Sequence, residues 1–392
     1  MKVTLAQVNP TVGDISGNLQ ILSDIVDTVA PGETDLLVFP ELFLTGYPPM
    51  DLLEKSWFIK RTSEVIREIL QLSRSREDFA ILMGCPVSTG VLTGKGLFNS
   101  ALLVEKGEIL FRSDKSLLPT YDVFDEARYF SPSLSVDPVF FRGRKIGITI
   151  CEDAWNSPEL WPAGGGYSRD PVRELSAKGA EMIINISASP FSVGKTAVRK
   201  KLLSGHAGRN GVSLVYLNQV GGNDELVFDG YSMVFDGMGR VCHCMSGFEE
   251  SLLTVDMDHL EPDPHCRLPD DIGSVHDALV LGIRDYMRKC GFSRAIVGLS
   301  GGIDSAVTAV LAVRALGREN VLGVSMPSPY SSEGSVLDSR ELATRLGMQF
   351  RVIPVSGIFG SFLDTLGTYL EKRGRAVAEE NIQARIRGNM LM

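Results

Sequence analysis

The sequence predicts an α/β protein built from two domains. Its 392 residues exceed the length at which one hydrophobic core keeps growing, so two cores are expected. Short apolar runs typical of strands alternate with segments of helical spacing, which is the pattern of layered α/β folds. One acidic, proline-broken stretch, residues 256–274, interrupts this alternation and predicts a linker. Hydrophobic and charged residues make up 44% and 22% of the chain, as in ordinary soluble globular proteins.

The first part of the chain predicts strands that end at polar residues. Apolar alternation indicates strands at residues 1–10, 36–39, 79–84, 98–104 and 109–114. Helical spacing of apolar residues indicates helices at 19–29 and 58–70. The strand at 36–39 leads to Glu41, and the last two strands form a hairpin that leads to Lys115. Glu41 and Lys115 are therefore both expected at strand ends.

Cys151 stands at the end of a further predicted strand. Ile146, Ile148 and Ile150 alternate with other residues, which is the period of a half-buried strand. A thiol at the end of a rigid strand can attack a carbonyl carbon repeatedly from one geometry, whereas a cysteine packed in a core is inert. Both interpretations are open from this run alone. The alternation then continues, with a helix predicted at 169–178 and strands at 181–190, 213–218 and 231–235.

The change of composition near residue 260 sets the predicted domain limits. We assign residues 1–261 to the first domain, 262–274 to the linker and 275–392 to the second domain. In the second domain, helices are predicted at 275–289, 305–316 and 333–346, and strands at 295–299, 321–326 and 350–355. Regular alternation of this kind predicts a doubly wound parallel sheet.

The most specific motif of the chain follows the strand at 295–299. It consists of Gly298, Leu299, Ser300, Gly301, Gly302, Ile303, Asp304 and Ser305. Two glycines allow close backbone approach, and the amides at the start of the next helix favour an anion, so the motif predicts a phosphate site. It has neither the Lys-Ser/Thr pair of a Walker loop nor GxGxxG spacing. The alternative is a glycine turn that serves packing only.

Charge and cysteine content limit the classes of function. A net charge of −9 argues against a general nucleic-acid partner, and no run of about 18 apolar residues predicts a membrane span. The N-terminus lacks the apolar region of a signal peptide, so we expect a cytoplasmic protein with reduced thiols. The sequence Cys242-His243-Cys244 suggests zinc ligands, but strand period alone turns both cysteines to one face, and the spacing of zinc motifs is absent.

Three segments of the first domain resemble the glutamate, lysine and cysteine segments of the nitrilase superfamily of carbon–nitrogen hydrolases. They are residues 39–48, residues 115–121 and Cys151-Glu152-Asp153. Residues 121–130 resemble, more narrowly, the glutaminase domain of the glutamine-dependent NAD synthetases. The resemblance implies a nitrilase-like αββα sandwich.

The same resemblance implies the roles of particular residues. Glu41 is the general base, Cys151 is the nucleophile, and Lys115 lowers the pKa of the thiol and stabilises the oxyanion. Glu126 falls at the position of a second carboxylate that supports these three residues. Tyr121, Ser189 and Lys195 fall where the amino and carboxylate groups of glutamine are held. Each of these four residues, taken alone, could equally be an ordinary polar residue of a loop.

The glycine motif resembles the pyrophosphate loop of the ATP pyrophosphatases. This resemblance implies that residues 298–305 bind ATP and that Asp304 coordinates Mg²⁺, a cation that prefers carboxylate and phosphate oxygens. Residues 326–332 resemble a segment that shapes the dinucleotide pocket in NAD synthetases. Residues 379–387 resemble their segment for deamido-NAD, with Asn381 at the matching position, although Arg385 and Arg387 equally fit solvated helix charges.

Together the resemblances imply an amidotransferase reaction. Ammonia from glutamine attacks the ATP-adenylated carboxyl of deamido-NAD, within an oligomer of identical chains. The family continues beyond the position of Met392, so we expect an incomplete second domain and little or no NAD formation by this chain. One rival interpretation is an amidase joined to an ATP pyrophosphatase of other specificity, and another is a binding protein that keeps both folds.

Overall fold

The computed structural model describes residues 1–90, 95–157, 166–266, 271–366, 369 and 375–392. The chain divides into two compact units, Met1–Ala278 and Leu279–Met392. Within the predicted linker, residues 267–270 lie outside the described residues. The helix after the linker begins at Asp271, earlier than the predicted start at residue 275, and the division between the units falls inside it.

Unit 1 contains two six-stranded sheets within the described residues. The first sheet has the order β14-β1-β2-β3-β4-β5, and the second has the order β13-β12-β9-β8-β7-β6. The strands are β1 Lys2–Gln7, β2 Leu36–Val38, β3 Ala80–Ser88, β4 Leu97–Glu105, β5 Glu108–Asp114, β6 Val139–Phe141, β7 Arg144–Ile150, β8 Met182–Ser187, β9 Ser213–Asn218, β10 Val220–Asn223, β11 Leu226–Asp229, β12 Met233–Phe235, β13 Val241–Cys244 and β14 Ser251–Asp256. The helices are α1 Ile15–Thr28, α2 Ser56–Ser75, α3 Glu126–Tyr129, α4 Pro171–Ala177 and α5 Lys195–Asn210.

The two sheets form the inner layers of an αββα sandwich. Val38 and Leu82 of the first sheet pack with Ile148 and Ile184 of the second in one buried cluster. The alternate residues of the first sheet pack outward against α1 and α2, and those of the second sheet pack outward against α4 and α5. Strands buried on both faces read as almost continuous apolar runs, as at residues 36–39. The predicted sandwich is confirmed.

The first sheet is completed by pairing between β1 and β14, which lie far apart in sequence, and this pairing was not predicted. β14 pairs antiparallel with β1, with Lys2 opposite Asp256 and Gln7 opposite Ser251. The hairpin of β10 and β11 also escaped the sequence analysis, because its Val-Gly-Gly-Asn strand has too little apolar alternation to indicate a strand. β3 extends to Ser88, beyond the predicted end at residue 84.

Unit 2 is built on a parallel sheet of three strands within the described residues. Its elements are α6 Asp271–Lys289, which begins in unit 1, β15 Ala295–Gly298, α7 Ile303–Leu316, β16 Val321–Ser325, α8 Glu333–Leu346, β17 Gln349–Val352, α9 Ser356–Leu366 and α10 Arg375–Leu391. Ala309 of α7 and Ala343 of α8 belong to one buried cluster, whereas Phe359 of α9 and Ile386 of α10 belong to another, with Val324. Helices therefore cover both faces, and the doubly wound sheet is confirmed.

Candidate active site

Three strand ends of unit 1 carry the predicted catalytic residues. Glu41 follows β2, Lys115 directly follows β5, and Cys151 directly follows β7. Their exposed fractions are 0%, 1% and 5%, so all three lie in the interior. Cys151 has a φ of +42° at the start of a short 3₁₀ turn, Cys151–Ala154. Such backbone is sparsely populated for a non-glycine residue and is maintained only by surrounding structure.

Asp153 provides that surrounding structure. Its Oδ1 accepts hydrogen bonds from the backbone nitrogens of Ser116 and Leu117, both at 2.9 Å, and its Oδ2 accepts one from Ile150 N at 3.0 Å. Burial raises the pKa of Asp153 to about 6, although these backbone hydrogen bonds favour the charged form. The carboxylate therefore ties the chain after Lys115 to the turn that holds Cys151.

Lys115 is shared by two buried carboxylates. Its Nζ donates to Glu41 Oε1 and to Glu126 Oε1, each at 2.7 Å. Asn99 Nδ2 also donates to Glu41 Oε1 at 2.7 Å, and the backbone nitrogen of Ala188 donates to Glu41 Oε2 at 2.9 Å. Both oxygens of Glu41 are thus fixed by donors. Glu126 is fixed in turn, because Tyr47 OH donates to its Oε1 at 2.9 Å.

The charges of this cluster shift three pKa values. Burial lowers the pKa of Lys115, but the charges of Glu126 and Glu41 outweigh burial and raise it well above its ordinary value. Burial raises the pKa of Glu126 to about 7, and the Lys115 charge opposes this rise. Burial and the Glu41 charge raise the pKa of Cys151, and the Lys115 charge again opposes. Lys115 thus acts on the thiol in the predicted direction, but its effect is outweighed.

A protonated thiol beside a carboxylate and a cation is suited to acyl transfer. The thiol needs a base before it can attack, and Glu41 is a buried carboxylate whose charge acts on Cys151. The Lys115 ammonium remains charged and supplies a donor for an oxyanion. The described geometry therefore fits hydrolysis of an amide through a thioester.

Replacing Glu41 by glutamine is expected to lower the pKa of Cys151 while it stops amide hydrolysis. The change removes the charge that, after burial, contributes most to the raised pKa of this thiol. We expect faster alkylation of Cys151 by iodoacetamide at pH 8, because a larger share of the thiol is then ionised. Peptide mass spectrometry would follow the reaction, with exposed Cys290 as the internal control. Unchanged or slower alkylation of Cys151 would contradict the electrostatic link between the two residues.

Two of the predicted glutamine-binding residues, Tyr121 and Lys195, lie beside the cysteine turn. Tyr121, which is 50% exposed, donates its hydroxyl to both oxygens of Glu152 at 3.0 and 3.1 Å, and Tyr167 OH donates to Glu152 Oε1 at 2.7 Å. The ammonium of Lys195 lies 5.4 Å from the ring centre of Trp155. Burial lowers the pKa of Lys195, and the charge of Arg199 adds to this effect.

Several residues of the site were missed by the sequence analysis. These are Tyr47, Asn99, Asp153 and Tyr167. Asn99 carried a usable signal, because an amide side chain within the apolar strand 97–105 must be buried with polar partners. Asp153 was noted only as a neighbour of Cys151, since its partners Ser116 and Leu117 lie far away in sequence.

Unit 2 places the glycine motif at the edge of a cavity of about 380 Å³. Its lining includes Gly298, Leu299 and Ser300 of the motif, together with Arg387. Gly301 has a φ of +83°, and a Cβ there would lie 2.7 Å from Ser335 Cα, so a side chain would be strained and crowded. Asp304 is exposed in the first turn of α7.

The C-terminal helix α10 contacts the segment that follows β16. Arg387 Nε donates to Met326 O at 3.1 Å, so its side chain is tied to the segment after β16 and is not a freely solvated charge. Asn381 is exposed, donates to Val377 O one turn earlier, and is not among the residues that line the cavity. The structure therefore brings Arg387 to the glycine motif and leaves Asn381 outside the cavity.

The described residues contain no group of three or more histidine, cysteine, aspartate or glutamate side chains arranged to hold a metal ion. Cys242 and Cys244 are free thiols on β13. In the same part of the chain, no helix has the length and apolarity needed to cross a membrane.

Comparisons with known proteins cover the whole chain. Residues 2–261 match the carbon-nitrogen hydrolase family, and residues 275–392 match the NAD synthase family. The glutamine-dependent NAD(+) synthetase of Synechocystis sp. is 43% identical over 100% of this chain and 71% of that protein. The enzyme of the same name from Thermotoga maritima is 40% identical over 100% of this chain and 72% of that protein.

Solved structures agree with these matches. The glutamine-dependent NAD+ synthetase of Acinetobacter baumannii, in complex with ADP, is 34% identical, has a TM-score of 0.89, and is matched over 100% of this chain and 72% of that chain. A Nesterenkonia sp. amidase that carries a covalent adduct at its active site cysteine is 26% identical, with a TM-score of 0.56, over 66% of this chain and 90% of that chain. The matches over the whole of this chain remove the alternative of an ATP pyrophosphatase of other specificity. The chain belongs to the family of glutamine-dependent NAD(+) synthetases.

Proposed function

We propose that residues 1–261 form a glutaminase domain, residues 262–274 a linker, and residues 275–392 an NAD synthetase domain. The observation that carries the first assignment is the buried Lys115, which bonds to Glu41 and Glu126 and whose charge acts on Cys151. An ion cluster without exposed surface costs folding energy, and such clusters concentrate at sites of chemistry.

In the first domain, Cys151 attacks the γ-amide carbon of glutamine. Glu41 removes the thiol proton, and Lys115 donates a hydrogen bond to the oxyanion that forms. When the tetrahedral intermediate collapses, the C–N bond breaks and Glu41 returns the proton to the leaving nitrogen, which departs as ammonia. Glu41 then deprotonates a water molecule that attacks the thioester. The C–S bond breaks, glutamate leaves, and Glu41 returns the proton to the sulfur, which restores the Cys151 thiol.

Glu126 supports these reaction steps through its contact with Lys115. Its carboxylate keeps the ammonium charged and oriented, since it bonds directly to Lys115 Nζ. For glutamine binding we assign Tyr121, Ser189 and Lys195. Lys195 is a partly buried cation and Ser189 is a buried hydroxyl, which are groups suited to a carboxylate.

In the second domain, residues 298–305 bind ATP and Asn381 contacts deamido-NAD. The start of α7 presents backbone amides, which favour phosphate. In the loop before it, the backbone nitrogen of Gly302 donates a hydrogen bond of 3.2 Å to Ser300 Oγ. The carboxyl of deamido-NAD attacks the α-phosphate of ATP, which releases pyrophosphate. Ammonia then attacks the adenylated carboxyl, and AMP leaves to give NAD. We also propose that the chain forms an oligomer of identical copies in the cytoplasm.

The glycine motif fits Mg²⁺ that is bound together with nucleotide. Asp304 is one exposed carboxylate at the helix start, and Mg²⁺ commonly takes one or two carboxylates, with phosphate oxygens and water as its other ligands. Bound there, the ion would neutralise charge on the phosphates. Asp304 would hold it, and Ser300 and Ser305 would orient the loop through their hydrogen bond of 3.1 Å.

Replacing Asp304 by asparagine is expected to weaken binding of ATP in the presence of Mg²⁺ by about tenfold, equivalent to about 1.4 kcal/mol. Binding of ATP in the presence of a chelator should change little, because the phosphates keep their amide donors. Titration calorimetry with and without Mg²⁺ would measure both affinities. Asp338→Asn, an exposed change on α8, is the matched control. An equal loss with and without Mg²⁺ would contradict a metal role for Asp304.

The test of the whole proposal follows glutamate release from glutamine and NAD formation from deamido-NAD, ATP and glutamine in parallel. Glutamate release that depends on Cys151 supports the first domain. Nucleotide-dependent NAD formation supports the second. A chain that releases no glutamate would contradict the glutaminase assignment.

A further inference from the structure

A second buried ion pair lies next to the predicted glutamine site. Arg199 of α5 and Asp229 at the end of β11 are both fully buried, and Arg199 Nη1 lies 3.1 Å from Asp229 Oδ1. Asp229 also accepts hydrogen bonds from Thr196 Oγ1 at 2.9 Å and from Asn218 Nδ2 at 3.2 Å. The pair thus joins α5 to the segments at the ends of β9 and β11.

Stability alone is a poor explanation for this pair. Removing two charges from water costs several kcal/mol per ion, and well-packed apolar residues often replace such pairs without loss of stability. The pair also leaves one donor group directed elsewhere. Arg199 Nη2 lies 3.4 Å from Ser189 Oγ and 3.5 Å from Ser189 O.

Ser189 is held from two sides by this network. Asn218 accepts from its backbone nitrogen at 2.8 Å and donates to its carbonyl at 3.2 Å, while Arg199 approaches its hydroxyl. Lys195 lies one turn before Arg199 on α5, and the charge of Arg199 lowers its pKa further after burial has lowered it. Arg199 therefore contacts one of the two residues assigned to the carboxylate of glutamine and acts electrostatically on the other.

We propose that Arg199, held by Asp229, is a positioning residue that sets the affinity and selectivity of the glutaminase domain for the α-carboxylate of its substrate. This inference rests on the proposed function. Asp229 fixes the guanidinium, and the guanidinium orients the Ser189 hydroxyl. The Arg199 charge also adds to the positive potential at Lys195, where the opposing charge of Asp229 acts more weakly. A substrate carboxylate bound in this partly desolvated site is attracted electrostatically by both cations, whereas an uncharged substrate group is not.

The test compares glutamine with its α-amide, which keeps the γ-amide but lacks the α-carboxylate charge. In Arg199→Met we expect KM for glutamine to rise at least about tenfold, with kcat within about threefold of the parent. The kcat/KM for the α-amide should stay within about threefold. Arg199→Lys should recover part of the affinity for glutamine. Arg240→Met, which removes a surface arginine paired with Asp236, is the control. It should leave kcat/KM unchanged for both substrates.

A second variant guards against a folding defect in Arg199→Met, which leaves Asp229 without its partner. The double change Arg199→Met and Asp229→Leu removes both charges, so no unpaired buried ion remains. We expect a folded protein in which KM for glutamine still rises, but by less than in Arg199→Met, because the opposing charge of Asp229 at Lys195 is lost as well. Full preference for glutamine in this variant, or an equal loss of kcat/KM for both substrates, would overturn the inference. A parent chain that hydrolyses neither substrate would instead overturn the proposed function.

Discussion

Cys151→Ala is expected to abolish glutamine hydrolysis. The thiol is the atom that forms the thioester, and the remaining groups have no nucleophile of comparable reactivity to activate. Removal of the nucleophile from hydrolytic sites of this kind lowers kcat on the order of 10⁶-fold. The change removes a single buried atom, so the fold should persist. Glutamate release measured by a coupled assay would show the loss.

The same variant tests the separation of the two sites. NAD formation from ammonium salt should remain at whatever level the parent chain supports, because Cys151 belongs to unit 1 and the glycine motif to unit 2. Cys290→Ala, a change of an exposed thiol, is the control for both assays. An equal loss of the glutamine-dependent and ammonia-dependent activities would contradict the assignment of the two reactions to separate domains.

The sequence was sufficient to predict the layers and the three strand ends that carry Glu41, Lys115 and Cys151. Glu41, Lys115 and Cys151 each follow an apolar run whose alternation is a local property, readable from neighbouring residues. The buried faces of β2 and β7 confirm that reading. The helix at 333–346 was predicted with its observed bounds, since Ser332 caps its start and Gly347 ends it.

The contacts that organise the site depend on distant parts of the chain and were not predictable. Asp153 bonds to the backbone of Ser116, and Asn99 bonds to Glu41, across separations of 37 and 58 residues. No local pattern sets such pairs. The net pKa of Cys151 also depends on burial, which outweighs the Lys115 charge that the sequence analysis emphasised.

The exposed position of Asn381 illustrates another limit of prediction from sequence. A motif identifies a position in the chain, but the helix register decides which face that position occupies. In α10 the side chain of Asn381 turns back to Val377 O, while Arg387 reaches Met326. Its role in binding deamido-NAD therefore remains a proposal that rests on resemblance.

Lys115→Met is expected to lower kcat/KM for glutamine by about 10²- to 10³-fold, equivalent to about 2.7–4 kcal/mol of transition-state stabilisation. Stability should fall as well, because Lys115 bonds to Glu41 and Glu126, and all three are buried. Removing one partner of a buried ion pair typically costs about 3–5 kcal/mol.

That loss of stability should depend on pH in a defined direction. The folded-state pKa of Glu126 is raised from 4.5 to about 7, so its proton stabilises the folded protein at low pH, and this contribution is lost as pH rises through 7. Without the Lys115 charge, which lowers this pKa, the folded-state pKa rises further and the loss extends to higher pH. Lys115 itself is charged throughout the range from pH 5.5 to 8.5, because its raised pKa lies well above it.

Urea unfolding of the parent and of Lys115→Met at pH 5.5 and pH 8.5 would measure this effect. We expect the variant to lose more free energy of unfolding at pH 8.5, where Glu41 and Glu126 face each other without a cation, than at pH 5.5, where Glu126 carries a proton. Lys145→Met, an exposed change on β7, is the control and should show no such difference. A deficit that is equal at both pH values would mean that Glu126 does not take up the proton, and that another group compensates the charge of Glu41.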